Sequence, residues 1–305
     1  MENFQELVMR ELPELCLLKE EPMERHTTFR IGGPAEYYAR PKGQELAPLL
    51  QLARSAGVPV TVIGNGSNLL VADSGIRGLV VEIGGQMSRV RVEGTKLVAS
   101  AGALLSAVAS AAASAGLGGL EFAAGIPGNL GGAIVMNAGA YGGEMKEVVE
   151  SVTVLTPDGQ LQCLRAEELD FGYRHSCIPD RNNIVVEAVL RLEEKPEAEI
   201  RAKMAELREK RLHKQPLEFP SAGSTFKRPE GNYAGKLIMD AGLRGYTVGG
   251  AQVSEKHCGF VVNTGGAAAA DVLRLMRDVQ EKVRAAFGVQ LEPEVKLLGD
   301  FDTGM

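Results

Sequence analysis

Residues Gly125 to Gly143 read GIPGNLGGAIVMNAGAYGG, and they hold seven of the chain's glycines. Glycine in that density weakens any packed helix or strand, so the run exists to let something approach the backbone. Without a Cβ the main chain can adopt positive φ and turn successive N–H groups outward as a nest for an anion, and a diphosphate is the natural guest. An irregular surface loop also collects Gly, Pro and Asn. Against a plain loop stand the apolar stretch Ala133 to Met136 inside the run and a second glycine stretch, Gly64-Asn65-Gly66-Ser67-Asn68, after the strand-like Val58 to Ile63. Two such cradles suit one long ligand held at two places.

Neither stretch has the grammar of a P-loop, and the long run opens no convincing helix with Gly-x-Gly-x-x-Gly spacing. Nucleotide kinases and dinucleotide-binding dehydrogenases of the usual kind lose ground accordingly. The net charge of −6 over 305 residues repels nucleic acid, so a phosphate site must be made locally from amides and a few cations. The length favours about two domains, with three small ones allowed. The acidic, amphipathic start MENFQELVMRELPEL lacks the basic and apolar regions of a secretory signal, and no stretch reaches the roughly 20 apolar residues of a membrane span. The expected location is cytoplasmic. Four scattered cysteines and four scattered histidines show neither disulfide nor metal-ligand spacing, so no metal is expected.

Apolar spacing predicts helices around Leu7–Leu15, Leu46–Ala53 and Leu104–Ala115, with Gly57 and Gly116 as stops for the last two. Strands are expected at Tyr37–Arg40, Val58–Ile63, Leu79–Ile83, Val90–Val92, Leu97–Ala99, Val152–Leu155, Leu161–Leu164 and Ile184–Leu192. Thr156-Pro157-Asp158-Gly159 is a turn. The charge-dense Lys195–Lys214 reads as a helix between modules. Beyond it come a helix at Ala234–Ala241, a strand at Phe260–Asn263, a long amphipathic helix at Ala268–Phe287 and a closing strand through Val289–Leu297.

Ser221 to Pro229, SAGSTFKRP, places two cations beside hydroxyls, a set suited to a diphosphate and a proton donor. Ser224 lacks the Gly-x-Ser-x-Gly elbow of a hydrolase nucleophile, so a general acid is the better functional reading and a turn serine the plain one. Arg174 in Phe171-Gly172-Tyr173-Arg174-His175-Ser176 is by itself an ordinary surface arginine. In Leu291-Glu292-Pro293-Glu294-Val295 the spacing does not separate Glu292 from Glu294.

Thr27-Thr28-Phe29-Arg30-Ile31-Gly32-Gly33-Pro34-Ala35, Gly64 to Leu70, Gly125 to Gly143, Gly172-Tyr173-Arg174, Gly223 to Lys227 and Leu291 to Val295 together closely resemble the UDP-N-acetylenolpyruvoylglucosamine reductase family. The motifs occur in the right order over nearly the whole chain. The resemblance implies an α+β fold, with a two-part FAD-binding module of the vanillyl-alcohol-oxidase (PCMH) type and an α/β substrate-binding domain. The expected divisions are residues 1–83 with a return at 295–305, residues 84–194, and residues 195–294. It implies non-covalent FAD bound by Gly64, Asn65, Gly66, Ser67, Asn68, Gly125, Ile126, Pro127, Gly128, Asn129, Gly131, Gly132, Asn137 and Ile184, with NADPH as co-substrate. Arg174, Ser224 and Glu294 would be catalytic, and Lys227 and Arg228 would bind the substrate, UDP-N-acetylglucosamine enolpyruvate.

Asn129 stands where the family often has a hydroxyl residue, and Arg228 where some members carry Asn. The substrate region is short, resembling the subtype without a tyrosine-bearing loop, and no tyrosine lid is expected. The implied enzyme is an oxidoreductase of peptidoglycan synthesis with no nucleic-acid partner and no membrane insertion, and a monomer is favoured. A flavin-dependent sugar or lactone oxidase and a non-redox nucleotide-sugar-binding protein are the rival readings.

Overall fold

The structure is a computed structural model that describes residues 3–301. The last residues of the expected 295–305 return, and the first two of the 1–83 division, lie outside the described residues. The chain forms two compact units. The first holds the chain up to Leu18, Tyr38–Asn65 and Leu79–Arg211; the second holds Lys19–Tyr37, Gly66–Gly78 and the chain from Leu212 onward. The charged helix Glu197–Lys214 therefore lies almost wholly in the first unit, where the Arg201 guanidinium donates to Ser114 Oγ at 2.9 Å.

In the first unit, helix Gly43–Ser55 buries Leu46, Leu49 and Ala53 as its spacing requires. The Glu45 carboxylate accepts the Lys42 N–H at 2.7 Å at its start, and Gly57, at φ +67°, ends it. Strand Val60–Ile63 then runs parallel to Ile76–Glu82, with Val60 opposite Leu79 and Ile63 opposite Glu82. A five-stranded antiparallel sheet follows in the spatial order Leu161–Arg165, Val149–Leu155, Ile184–Arg191, Lys96–Ser100 and Val90–Glu93. Its inner face buries Val152, Val154, Ala188, Leu190, Leu97 and Ala99. The hairpin expected around Gly94 and the turn at Thr156–Gly159 join neighbouring strands of this sheet.

The glycine run does open a helix, Leu130–Val135, packed on strands Ile184–Arg191 and Lys96–Ser100. Two glycines at its start lower intrinsic propensity. Main-chain bonds from Leu130 to the Ala103 carbonyl (2.9 Å) and from Gly131 to Ala101 (2.8 Å) fix it, a tertiary effect that no local spacing encodes.

In the second unit an antiparallel sheet orders Ser221–Ser224, Phe260–Asn263, Ala251–Val253 and Thr247–Val248. Helix Ala269–Phe287 covers it with a stripe of Val272, Leu275, Met276, Val279 and Val283, each 0–2% exposed. Full burial of such a side chain stabilises by roughly 1.5–3 kcal/mol, which makes this stripe the centre of the unit's core. The closing strand is shorter than expected: only Lys296–Leu298 pairs, parallel to Leu69–Val71. Upstream of it Pro293 has no N–H to give, and Phe226–Pro293 remains an isolated bridge.

The long helix has no capping side chain of its own at its first residue. Asp73 supplies one from a distance, accepting the Ala269 N–H at 2.8 Å and the Ala270 N–H at 3.0 Å. Two of the helix's orphan donors are thereby satisfied, with a negative charge at the positive end of its dipole. Gly33 is needed close by, because a Cβ there would lie 2.1 Å from the Asp73 carbonyl oxygen. Asp73→Ala is expected to destabilise the protein by about 1 kcal/mol and Asp73→Asn by less, read from the midpoint of urea unfolding followed in the far ultraviolet.

Candidate functional site

In the first unit the two glycine stretches meet at Asn129, which is 3% exposed. Its Oδ1 accepts the Asn65 N–H at 2.8 Å, and its Nδ2 donates to the Ile83 carbonyl at 2.6 Å. A Cβ on Gly64 would sit 2.4 Å from that Oδ1, so glycine is required where the chain passes the amide. One donor and one acceptor site of the Asn129 carboxamide are thus engaged inside the protein, while its backbone N–H is left open.

The N–H groups of Gly125, Gly128, Asn129 and Gly132 donate to no protein acceptor among the described residues. Ile126 donates to the Ala123 carbonyl and Gly128 accepts from Leu105, so the backbone around these open donors, with Pro127 between, is held in shape. A Cβ on Gly132 would meet nothing within 4 Å, and the residue is exposed. Ile184 opens its strand opposite Leu155 and is partly exposed.

In the second unit, Gly66, Ser67 and Asn68 likewise donate no main-chain hydrogen bond among the described residues. Gly66, at φ +62°, lies so close to His26 that a Cβ would be 1.9 Å from the His26 carbonyl oxygen, and its own carbonyl accepts the Thr28 N–H at 3.1 Å. Unbonded main-chain amides are anion-binding chemistry, at the positive-φ Gly66 in the second unit and at Gly125, Gly128, Asn129 and Gly132, none of them at positive φ, in the first, so each unit by itself offers donors that fit a phosphate of FAD.

Arg174 sits in the first unit on a tight turn in which Gly172 and His175 exchange N–H···O bonds of 3.1 and 3.3 Å. Its φ is +55°, a conformation in which a non-glycine residue is strained. Its Nη2 donates to the Gly139 carbonyl at 3.3 Å, and the guanidinium carbon is 5.0 Å from the Tyr173 ring centroid. Beneath the turn lies Asn137, fully buried. The Asn137 Nδ2 donates to the Gly172 carbonyl (2.9 Å) and to Glu144 Oε2 (3.2 Å), and its Oδ1 accepts the Lys146 N–H (2.9 Å). Both N–H donors of the Asn137 amide are used inside the protein, and the second half of the glycine run serves the arginine turn.

In the second unit Ser224 ends its strand, exposed, and its hydroxyl makes no hydrogen bond among the described residues. The neighbouring Thr225 hydroxyl is buried and accepts the Val261 N–H at 2.9 Å. The chain after Ser224 runs beside 292–294: Lys227 donates its N–H to the Glu292 carbonyl and Glu294 donates its N–H to Thr225, both at 2.8 Å. Asn68 Nδ2 reaches the Glu294 carbonyl at 3.1 Å. Ser224, Lys227, Glu294 and Asn68 are therefore drawn together within this unit.

The two glutamates that spacing left equivalent differ here. Glu292's carboxylate is exposed and paired with Lys227 Nζ at 2.7 Å, whereas Glu294 is half-buried beside Thr225. Arg228 is anchored apart from Lys227, its Nε donating to the Asn232 carbonyl at 3.3 Å and its guanidinium 4.0 Å from the Tyr233 ring centroid.

Sequence reading passed over Arg211. This residue of helix Glu197–Lys214 lies in the first unit against Gly125, where a Cβ would be 2.6 Å from its Nη1; burial pushes its guanidinium below the usual arginine range. Nothing in a charged helix marks that one cation. Among the described residues no cluster of His, Cys, Asp and Glu could hold a metal, and no helix is long and apolar enough to cross a membrane.

The sequence model of the UDP-N-acetylenolpyruvoylglucosamine reductase C-terminal domain matches residues 215–298, and that of an FAD binding domain matches residues 35–165. The UDP-N-acetylenolpyruvoylglucosamine reductase of Agathobacter rectalis is 60% identical, over 98% of this chain and 99% of its own. That of Caldanaerobacter subterraneus is 53% identical, over 95% and 96%. The crystal structure of the Thermus caldophilus reductase superposes with a TM-score of 0.81 at 40% identity, covering 94% of this chain and 99% of that one. With an FAD-binding module and a separate C-terminal domain in an α+β fold, the chain belongs to the UDP-N-acetylenolpyruvoylglucosamine reductase family.

Proposed function

We propose that this chain uses NADPH to reduce the enolpyruvyl group of UDP-N-acetylglucosamine enolpyruvate, giving UDP-N-acetylmuramate for peptidoglycan synthesis in the cytoplasm. The observation that carries the reading is the pairing of Thr225 with Glu294, which sets an unbonded serine hydroxyl and a half-buried carboxylate on adjoining backbones in a chain of this family. When bound, FAD would supply the two-electron chemistry that links NADPH oxidation to reduction at the methylene end of the enolpyruvyl group.

In this reading the unbonded amides of Gly66, Ser67 and Asn68 form the second unit's phosphate cradle, and Gly64 and Asn65, the latter with its N–H on Asn129, belong to the first unit's share of the cofactor site. The amides of Gly125, Gly128, Asn129 and Gly132 form the other cradle, while Ile126, Pro127 and Gly131 set its backbone. Ile184 lines the flavin side, and Asn137, its amide donors engaged, contributes through its main chain. Residues 1–83 with the 295–305 return and residues 84–194 hold the cofactor without a covalent tether; residues 195–294 hold the nucleotide sugar, with Lys227 and Arg228 on its diphosphate.

Hydride addition leaves carbanion character on the carbon next to the substrate carboxylate, where added negative charge is costly. Ser224 Oγ donates the proton to that carbon. Arg174 neutralises the growing charge on the carboxylate, and Glu294 stabilises the enol form. Thr225 cannot replace Ser224, because its hydroxyl is buried in the sheet.

Under anaerobic conditions NADPH is expected to bleach the bound flavin of Ser224→Ala at a normal rate. Its recolouring by the enolpyruvyl nucleotide should fall by about 10² to 10⁴, the usual cost of losing a general acid. Equal slowing of both half-reactions would assign Ser224 to the flavin site instead. Glu294→Gln is expected to slow single-turnover reoxidation by about 10² with substrate affinity nearly kept, and Glu292→Gln, exposed and tied to Lys227, to change the rate less than about threefold. The reverse ranking would transfer the role to Glu292.

A further inference from the structure

The surroundings of Arg174 hold one more charged group that the reaction as described does not use. Glu144 ends the short hairpin in which Gly143 faces Ala140 and Glu144 faces Gly139. Gly139 is the residue whose carbonyl accepts the Arg174 guanidinium. Glu144 lies directly across it, for a Cβ on Gly139 would be 2.7 Å from Glu144 Cγ. The hairpin thus brings the carboxylate and the guanidinium to the same glycine.

Glu144 is itself held from two sides. Lys146 Nζ lies 2.8 Å from its Oε2, and Asn137 Nδ2 donates to the same oxygen at 3.2 Å. Asn137 also grips the Gly172 carbonyl at the base of the arginine turn. The Lys146 hydrogen bond first, then Asn137 and the Arg174 charge, hold the Glu144 carboxyl below the usual carboxylate range, so it is ionised at neutral pH.

We propose that Glu144 is a positioning residue for Arg174: through Asn137 and the Gly139 hairpin it holds the guanidinium in the orientation that receives the substrate carboxylate. Lys146 offsets the Glu144 charge, so the carboxylate orients the arginine without cancelling the positive field the substrate meets. An arginine at a turn tip otherwise samples many rotamers, and ordering it before substrate arrives removes that entropic cost from the reacting complex. The inference rests on the catalytic reading of Arg174.

The test is a double-mutant cycle on FAD-loaded enzyme. Glu144→Ala is expected to slow reoxidation of NADPH-reduced flavin by the enolpyruvyl nucleotide about tenfold while leaving NADPH reduction within about twofold. Glu144→Gln, which still accepts from Asn137, should recover most of the loss. In an Arg174→Ala background Glu144→Ala should cost less than about twofold, because its target is gone. Full additivity with Arg174→Ala, no effect of Glu144→Ala, or equal slowing of both half-reactions would overturn the proposal. Should Glu144→Ala lose its flavin or melt early, the cycle is run with Glu144→Met, close in volume but unable to accept from Asn137 Nδ2, and the same non-additivity is required. Normal reoxidation by Arg174→Ala alone would refute the reading of Arg174 and this inference with it; an impaired Arg174→Ala beside a silent Glu144→Ala refutes only the inference.

Discussion

The amide of Asn129 is the constraint from which the first unit's glycine architecture follows. One carboxamide accepts from the Asn65 main chain and donates to Ile83, locking the end of one strand–loop junction to the start of the long glycine run. Gly64 must then be glycine, and the run beyond Asn129 must enter its helix where Ala101 and Ala103 can receive its first amides. No buried side-chain nitrogen or oxygen among the described residues lacks a partner. Beside that satisfied set of buried side chains, the main-chain donors left open in the two glycine stretches, those of the exposed Gly125 and Gly132 among them, are available to an anionic ligand.

The same economy of polar groups explains how adjacent residues divide their work in the second unit. Thr225 and Ser224 are neighbours with similar chemistry, yet one hydroxyl is built into the sheet and the other is left available. Glu292 and Glu294 are separated by a proline that interrupts regular pairing, and one is drawn off by Lys227 while the other stays against Thr225. Fold geometry assigns roles that residue type does not.

Much of this could be read from the chain. Period and punctuation located helices Gly43–Ser55, Leu105–Ser114 and Ala269–Phe287, and the strand Phe260–Asn263, because amphipathic spacing and a glycine stop are local signals. The short helix Leu130–Val135 was hidden, since its stability comes from distant carbonyls rather than its own residues. Leu291–Glu294 was misread as strand because Pro293 breaks the ladder while apolar alternation continues. At the site, the two glycine stretches stood out in the sequence as backbone open to close approach. The tasks of Asn137, Glu144 and Arg211 were not, because each depends on what the fold brings against it: a turn, a hairpin and a glycine respectively.

The parallel pairing of Leu69–Val71 with Lys296–Leu298, continued by the Asn68 contact to Glu294 across 226 residues, also sets a clock for biosynthesis. At about 5–20 residues per second the ribosome needs roughly 10–45 s between making the two halves of that contact. Throughout this interval Leu70, fully buried in the finished protein, lacks its strand partner. The first unit's segments are all synthesised by Arg211 and can complete their core earlier. The second unit waits for its closing strand, so the edge of Leu69–Val71 that Lys296–Leu298 will cover stays without that partner until synthesis is nearly finished.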